Sequence, residues 1–304
     1  MKILVEGIGS MVFSTQLAYY QAMHWELVGI DITNHSFGLY SGLKPYIVPK
    51  YSDSDCFDKI KEIINHEKID LVFPTINEGL KAWSAKKNFF KEIYQTEVIL
   101  SDENVIDICT DKWKTYQFFV ENEIPTPKTS LSRQYALLKP RIGRGSTGIY
   151  KNSEIPDDFS MDGYISQEIV EGEEYTIDAL CNLQSQPIYI IPRRRLATES
   201  GVSTQGVTVY DSKIINFVKK ILSVLKPIGI VNLQCFKNGN NIVFIEINPR
   251  IAGGSSLSFA SSDNWFKAIE CFVCHKPYQP QKIRYDNYMF RYYKDLIVSK
   301  TDLL

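Results

Sequence analysis

The chain has 304 residues, enough for two domains, and its 44% hydrophobic and 23% charged content is that of an ordinary globular protein. The 34 Lys and Arg against 35 Asp and Glu leave a formal net charge of −1, which excludes a general attraction to nucleic acid or an anionic membrane. MKILVEGIGS is too short and too early for a signal peptide, and no apolar run approaches the ~18 residues of a membrane span, so a cytoplasmic protein is expected.

In chain order, KILVEGI (2–8) reads as a buried strand and SMVFSTQLAYYQAM (10–23) as a helix. WELVGIDIT (25–33) is a second strand ending near Asp31. CFDKIKEIINHEKI (56–69) places Phe57, Ile60, Ile63 and Ile64 at helical spacing, and IDLVFPT and EVILS are further strands. Apolar strands separated by single helices predict a parallel sheet with right-handed crossovers. The turn Gly7-Ile8-Gly9 resembles a dinucleotide fingerprint only in part, because Val12 stands where glycine or alanine is required. It is read as a turn that packs a helix closely on a strand.

NVIDICTDKWKTYQFFVENEIPTPKT (104–129) gives two helices around Asp111-Lys112, and the prolines then stop the second helix. The grammar changes here. YALLKP and GIYKN are strands around a glycine loop, SQEIV starts another segment, and EYTIDALCN with PIYIIPRRR form an antiparallel pair. A helix INFVKKILSVL precedes the hairpin IVNLQCFKNGNNIVFIEINP, whose turn holds Asn238-Gly239. The expected fold is α/β, turning α+β in the C-terminal part. NWFKAIECFVCHKPY reads as a helix with Phe266, Ile269, Phe272 and Val273 on its apolar face. Its C-x-x-C-H spacing matches a haem-attachment pattern, but haem attachment normally requires export and a zinc or redox site would need a second ligand pair, so all six cysteines are read as core thiols.

Three constellations carry chemistry. In IEINPRIAGGSS (245–256), Glu246 and Asn248 fall on one sheet face by the period of two, and Gln234 on the partner strand reaches that face. Three oxygen donors, one anionic, suit a hard cation, and Mg2+ fits best because it binds one or two carboxylates together with substrate phosphates. The same residues also allow a plain Glu246–Arg250 ion pair. The second constellation, KPRIGRGSTG (139–148), sets Lys139 at a strand end before a loop of glycines and hydroxyls, which suits a polyphosphate. An exposed hairpin tip is its plainer reading. The third, QEIVEGEEYTID (167–178), offers linker backbone to an adenine edge and a carboxylate to a ribose, or else is a solvated acidic turn.

In this order and at these spacings the three resemble the ATP-grasp superfamily, most closely the synthetase halves of the carbamoyl-phosphate synthetase large subunit, over nearly the whole chain. The resemblance implies a parallel-sheet domain over 1–103 in front of an ATP-grasp domain over 104–304, with a mobile lid over about 126–170. It implies ATP and Mg2+ as cofactors, with Mn2+ a substitute. Lys112 and Lys139 would contact the α and β phosphates, and Gly143, Gly145, Ser146, Thr147 and Gly148 would close over them. Ile169 and Val170 would present backbone to adenine, with Gln167 or Glu168 beside its exocyclic amine, and Glu174 would meet the ribose. Gln234, Glu246 and Asn248 would hold the metal, while Arg250, with Lys139, would serve the transferring phosphoryl group.

The sequence departs from carbamoyl-phosphate synthetases at Gly253, where those enzymes carry a second arginine serving a bicarbonate-derived intermediate. Gly253 and Gly254 therefore favour a larger substrate, such as an amino acid or another small organic acid. Period-two alternation points Arg193 and Arg195 to one face, suited to a carboxylate, although a basic strand end at a subunit contact is equally describable. Glu78, just past a strand's carboxyl end, faces the acceptor or simply favours a helix N-terminus. The expected activity is that of an ATP- and Mg-dependent carboxylate–amine ligase acting through an acyl phosphate on small-molecule substrates, with no nucleic-acid or membrane partner and with a homodimer as the assembly suggested by analogy. The alternatives are phosphorylation of bicarbonate or carbamate, a non-catalytic ATP-binding regulator, and an NAD-binding dehydrogenase, which Val12 disfavours.

Overall fold

The structure is a computed structural model that describes residues 1–303 apart from Arg144, Ser146 and Ser200. It divides into two compact units, which are discontinuous in sequence. Residues 1–100, 264–279 and 291–304 form the first, and 101–263 with 280–290 form the second.

The first unit is built on five parallel strands. β1 (Lys2–Glu6) is followed by α1 (Met11–Gln21), β2 (Glu26–Asp31) and the edge strand β3 (Lys44–Ile47). After α2 (Cys56–Glu67) come β4 (Leu71–Phe73), α3 (Asn77–Tyr94) and the short β5 (Glu97–Val98). The strand order is β3-β2-β1-β4-β5, every neighbouring pair being parallel. The apolar spacing on α2 does what it predicts: Ile60, Ile63 and Ile64 are buried. Gly9 donates its amide to the Asp31 carboxylate at 2.7 Å, so the Gly7–Gly9 turn is tied to the end of β2.

The second unit begins with α4 (Glu103–Thr110) and α5 (Lys112–Glu121). A four-stranded antiparallel sheet follows, made of β6 (Thr129–Ser130), β7 (Leu137–Pro140), β8 (Tyr150–Lys151) and β9 (Tyr164–Gln167) in the order β6-β9-β7-β8. A larger sheet holds β10 (Glu173–Cys181), β11 (Pro187–Glu199), β12 (Val202–Thr208), β13 (Gly229–Asn238), β14 (Asn241–Asn248) and β15 (Tyr288–Phe290). Its order is β14-β13-β10-β11-β12-β15, antiparallel throughout. α6 (Ser212–Leu225) packs its stripe of Ile214, Val218, Ile221, Leu222 and Leu225 onto the core face of this sheet. Asp211 caps it, accepting from the Lys213 and Ile214 amides at 3.0 and 3.1 Å.

α7 (Ser255–Ser261) belongs to this unit, and α8 (Trp265–Val273) returns to the first. The sequence reading assigned everything after residue 103 to one domain. The cause of the difference is aromatic: Phe266 of α8 stacks on Tyr20 with centroids 4.1 Å apart and meets Phe73 at 5.2 Å. Phe266 and Ile269 are buried as expected, whereas Phe272 and Val273 are only half-buried. Four cysteines are core residues, but Cys271 is half-buried and Cys274 exposed, a correction to the expectation for all six. The segment after the arginine run, residues 202–208, forms β12.

Ile221 is fully buried, whereas Val224 on the same helix is 43% exposed. Ile221→Ala is expected to lower the unfolding free energy by ~2–5 kcal/mol, and Val224→Ala to change it by less than ~0.5 kcal/mol. Urea denaturation followed by circular dichroism measures both.

Candidate active site

β10 alternates in register with its neighbours. Tyr175, Ile177, Ala179 and Cys181 enter the core beneath α6, so Glu174, Thr176 and Asp178 emerge on the opposite face. Cross-strand pairing extends this polar face over the sheet. Thr176 lies between Gln234 of β13 and Arg193 of β11, and Asp178 lies beside Asn232.

On β14 the register changes. From the hairpin turn, Asn238 pairs with Asn241 and Cys235 with Phe244, but the next pair is Gln234 with Glu246. The bulge at Ile245 lets Phe244 enter the core while Glu246, two residues on, joins the polar face. Glu246 thus stands directly across from Gln234, and Asn248 stands across from Asn232. One carboxylate and two carboxamides, Gln234, Glu246 and Asn248, share an edge of the face. Their hard oxygen donors fit a magnesium ion shared with phosphates. Arg250 follows in the turn after β14, its amide bonded to the Asn248 carbonyl at 2.9 Å and its Nη1 to the Ile251 carbonyl at 3.0 Å.

The cations sit on neighbouring elements. Lys139, half-buried on β7, donates to Gln167 Oε1 at 2.6 Å, and Gln167 Nε2 donates to Thr129 at 2.9 Å. Burial pushes the Lys139 ammonium down to about 8; Glu246 opposes this, Lys112 adds to it and Glu174 opposes it. These four groups, from four separate elements, therefore lie within electrostatic reach of one another. Lys112 opens α5, its amide bonded to the Arg141 carbonyl at 2.9 Å and its ammonium to the Gly143 carbonyl at 3.1 Å. Asp111 caps that helix through the Trp113 amide at 2.9 Å and pairs with Arg141. Burial alone would raise the Asp111 carboxyl; Arg141 and the Trp113 amide outweigh it and hold the group below the ordinary range. The start of α5 and the start of the glycine loop are consequently one hydrogen-bonded assembly.

Within that loop Gly143, Gly145 and Thr147 are exposed, and Ser146 lies outside the described residues. Gly148 has φ +72°, and a Cβ there would approach Pro140 to 3.0 Å, so the loop's closing turn requires glycine. After β9, Glu168 receives the Lys128 amide at 3.1 Å. Ile169 is 56% exposed and lines an open depression of about 680 Å³ with Arg133, Tyr135 and Lys151, while Val170 is half-buried. Of the two residues expected beside an exocyclic amine, Gln167 is buried and engaged at both ends, and Glu168 is the more accessible.

The arginine strand corrects one expectation. Arg193 and Arg195 do share a face, but Arg193 is 1% exposed and pairs through Nε and Nη2 with Asp178 at 2.7 and 3.2 Å. Covered by Gly254 and bonded to Asp178, it does not present itself to a substrate. Arg195 pairs with Glu174 and donates to the Gly201 carbonyl at 2.8 Å. Gly254 lies against the Arg193 guanidinium: a Cβ would come within 2.6 Å of Nη1. Gly253 is looser, with Val202 Cγ1 3.0 Å from its would-be Cβ. Glu78 is exposed in the first turn of α3 in the first unit. Asp178, Asn232, Ser255 and Ser258 went unassigned in the sequence reading. The period of two that picks out Glu174 and Gln234 also puts Asp178 and Asn232 on the same face, but nothing local marks the serines.

This arrangement, a parallel-sheet unit followed in sequence by a four-stranded antiparallel sheet and a larger antiparallel sheet, is that of the ATP-grasp fold. The family described as ATP-grasp domain matches residues 109–254, and the one described as PylC-like, N-terminal domain matches residues 3–99. The chain thus carries a PylC-like N-terminal domain and an ATP-grasp domain. It is 23% identical over 213 residues to the tyramine–L-glutamate ligase of Methanocaldococcus jannaschii, covering 67% of this chain and 63% of that one. It is 28% identical over 142 residues to the 3-methyl-D-ornithine–L-lysine ligase of Methanosarcina acetivorans, covering 44% of this chain and 38% of the relative. The chain thus spans less than two thirds of the length of either curated relative. The biotin carboxylase domain of the Hydrogenobacter thermophilus 2-oxoglutarate carboxylase, crystallised with MgADP, ADP and bicarbonate, shares the fold with a TM-score of 0.73 and 14% identity. That match covers 94% of this chain and 73% of the neighbour.

Gly254→Ala sets a Cβ against the buried Arg193 guanidinium, which must shift to admit it. Loss of ~2–4 kcal/mol of stability is expected, the scale of disturbing a buried ion pair, and thermal unfolding compared with Gly253→Ala measures it.

Proposed function

We propose that this chain is an ATP- and magnesium-dependent carboxylate–amine ligase that works through an acyl phosphate. The observation that carries the reading is the Gln234–Glu246 pair with Asn248 beside it, facing a charge cluster that includes Lys139 and Lys112. Bound Mg2+ would be held by Gln234, Glu246 and Asn248 and would neutralise charge between the ATP phosphates. Lys112 and Lys139 bind the α and β phosphates, and the 143–148 loop covers them. Adenine lies against the backbone of Ile169 and Val170 near Glu168. Glu174, one oxygen of which is fixed by Arg195, meets the ribose.

A substrate carboxylate oxygen attacks the γ-phosphorus and the bond to ADP breaks. Arg250 stabilises the phosphoryl group as it moves. The amine then attacks the acyl carbon, phosphate leaves, and the ammonium proton passes to solvent. No protein nucleophile is needed, so catalysis is positioning and electrostatic stabilisation. A small carboxylic or amino acid is the proposed substrate, supported by the names of the two curated relatives, each of which joins an amine to an amino acid. Gly253 supports this over bicarbonate, since no cation stands there to hold so small an anion. A homodimer in the cytoplasm remains the proposed setting.

Phosphate release from Mg-ATP across a matrix of carboxylates and amines tests the proposal, with bicarbonate plus ammonia as one combination. Release dependent on an organic or amino acid is the expected result; release with bicarbonate alone would give the second reading instead. Glu246→Gln should cut turnover by at least ~100-fold while leaving the melting temperature in place. ATP affinity should be full below pH 8 and fall as pH rises through it, because the lysine leaves its protonated, phosphate-binding form. Lys139→Arg, charged throughout, should flatten that fall when nucleotide binding is titrated at pH 7 and 9.

A further inference from the structure

One carboxylate on the polar face takes part in none of these roles, yet more of the site converges on it than on any residue that does. Asp178 is 0% exposed and accepts five hydrogen bonds. Arg193 supplies two, Asn232 Nδ2 one at 2.6 Å, and the Ser255 and Ser258 hydroxyls one each at 2.9 and 2.6 Å. The donors come from β11, β13 and the first turns of α7.

Two of these bonds lead to the chemistry. Ser255 donates to Asp178 and at the same time accepts the Ala252 amide at 3.1 Å, while its own amide returns to the Ala252 carbonyl at 3.0 Å. This closes the turn that begins at Asn248 and carries Arg250. Asn232 donates to Asp178 and pairs in register with Asn248, the last of the three metal donors. Gly254 seats the end of the turn against Arg193.

We propose that Asp178 is a positioning residue for phosphoryl transfer. It sets the Arg250 turn through Ser255 and the Asn248 edge through Asn232, and the inference rests on the roles proposed above for Arg250 and Asn248. Stability alone accounts poorly for the arrangement. A buried ion pair is a weak stabiliser compared with apolar packing, and here Arg193 Nη1 and Thr176 Oγ1 are both buried without a hydrogen-bond partner among the described residues. What the network supplies is geometry, held by a residue that touches neither metal nor substrate.

The test is a cycle between Ser255→Ala and Arg250→Lys, read by substrate-dependent phosphate release. Ser255→Ala leaves Asp178 four of its donors, so the protein should fold with a melting temperature within a few degrees of the parent. Its kcat should fall ~10–30-fold with the KM for ATP unchanged within about twofold, as expected for lost orientation and not lost binding. In the Arg250→Lys background the same substitution should cost less than ~3-fold, since the group being positioned is already displaced. Ser255→Thr, which keeps the hydroxyl, should restore most of the rate. Equal losses in both backgrounds, an effect confined to KM, or an unchanged kcat would each overturn the positioning role. A parent protein that releases no phosphate with any substrate pair overturns the ligase reading and this inference together. An active parent with an unaffected Ser255→Ala overturns the inference alone.

Discussion

Successive side chains of a strand leave opposite faces, and on β10 that alternation separates Tyr175, Ile177 and Ala179, packed beneath α6, from Glu174, Thr176 and Asp178. Every functional group on the large sheet inherits its side from this division. A slip of one residue between β10 and either neighbour would drive carboxylates into the core and aliphatic side chains onto the charged face. The apolar face of α6 therefore does more than stabilise the unit: by burying one set of positions it fixes where the other set must stand.

The bulge at Ile245 breaks that rule on the strand that carries Glu246. Regular pairing back from the turn would put Ile245 across from Gln234, and Phe244 would share a face with Glu246. The extra residue lets Phe244 stay in the core and brings Glu246 opposite Gln234. The donor set thus depends on an irregularity placed next to the site, where a strand can be re-aimed without disturbing the rest of the ladder.

The charges on the polar face are of two kinds. Asp178 and Arg193 neutralise one another out of contact with water, and their partners fix them in one geometry. Lys139, by contrast, is half-buried with its ammonium pushed down to about 8 and is held by a neutral amide, Gln167. A desolvated cation whose direct hydrogen bond goes to a neutral amide gains from an arriving anion. The first kind suits a frame and the second suits a ligand, and the ATP-grasp fold sets them side by side on adjoining sheets.

The sequence by itself determined the local elements and named Glu174, Gln234, Glu246 and Asn248, which the structure brings to one polar face. Helical spacing placed α2 and α6, and apolar runs placed β1, β2 and β4. The Asn-Gly turn placed the β13–β14 hairpin, and the order of motifs indicated the ATP-grasp fold, because each of these signals is written in neighbouring residues. Only the tertiary structure decided the rest. It decided that α8 packs with Tyr20 and Phe73 in the first unit, that β12 continues the sheet beyond the arginine run, and that a bulge sets the Gln234–Glu246 register. It also decided that Arg193 turns inward to Asp178 while Lys139 does not. Alternation tells which face an arginine takes, but whether that face is open or roofed depends on Ser255, Ser258 and Gly254, some 60 residues further along the chain. Their approach is fixed by packing, which no local pattern encodes.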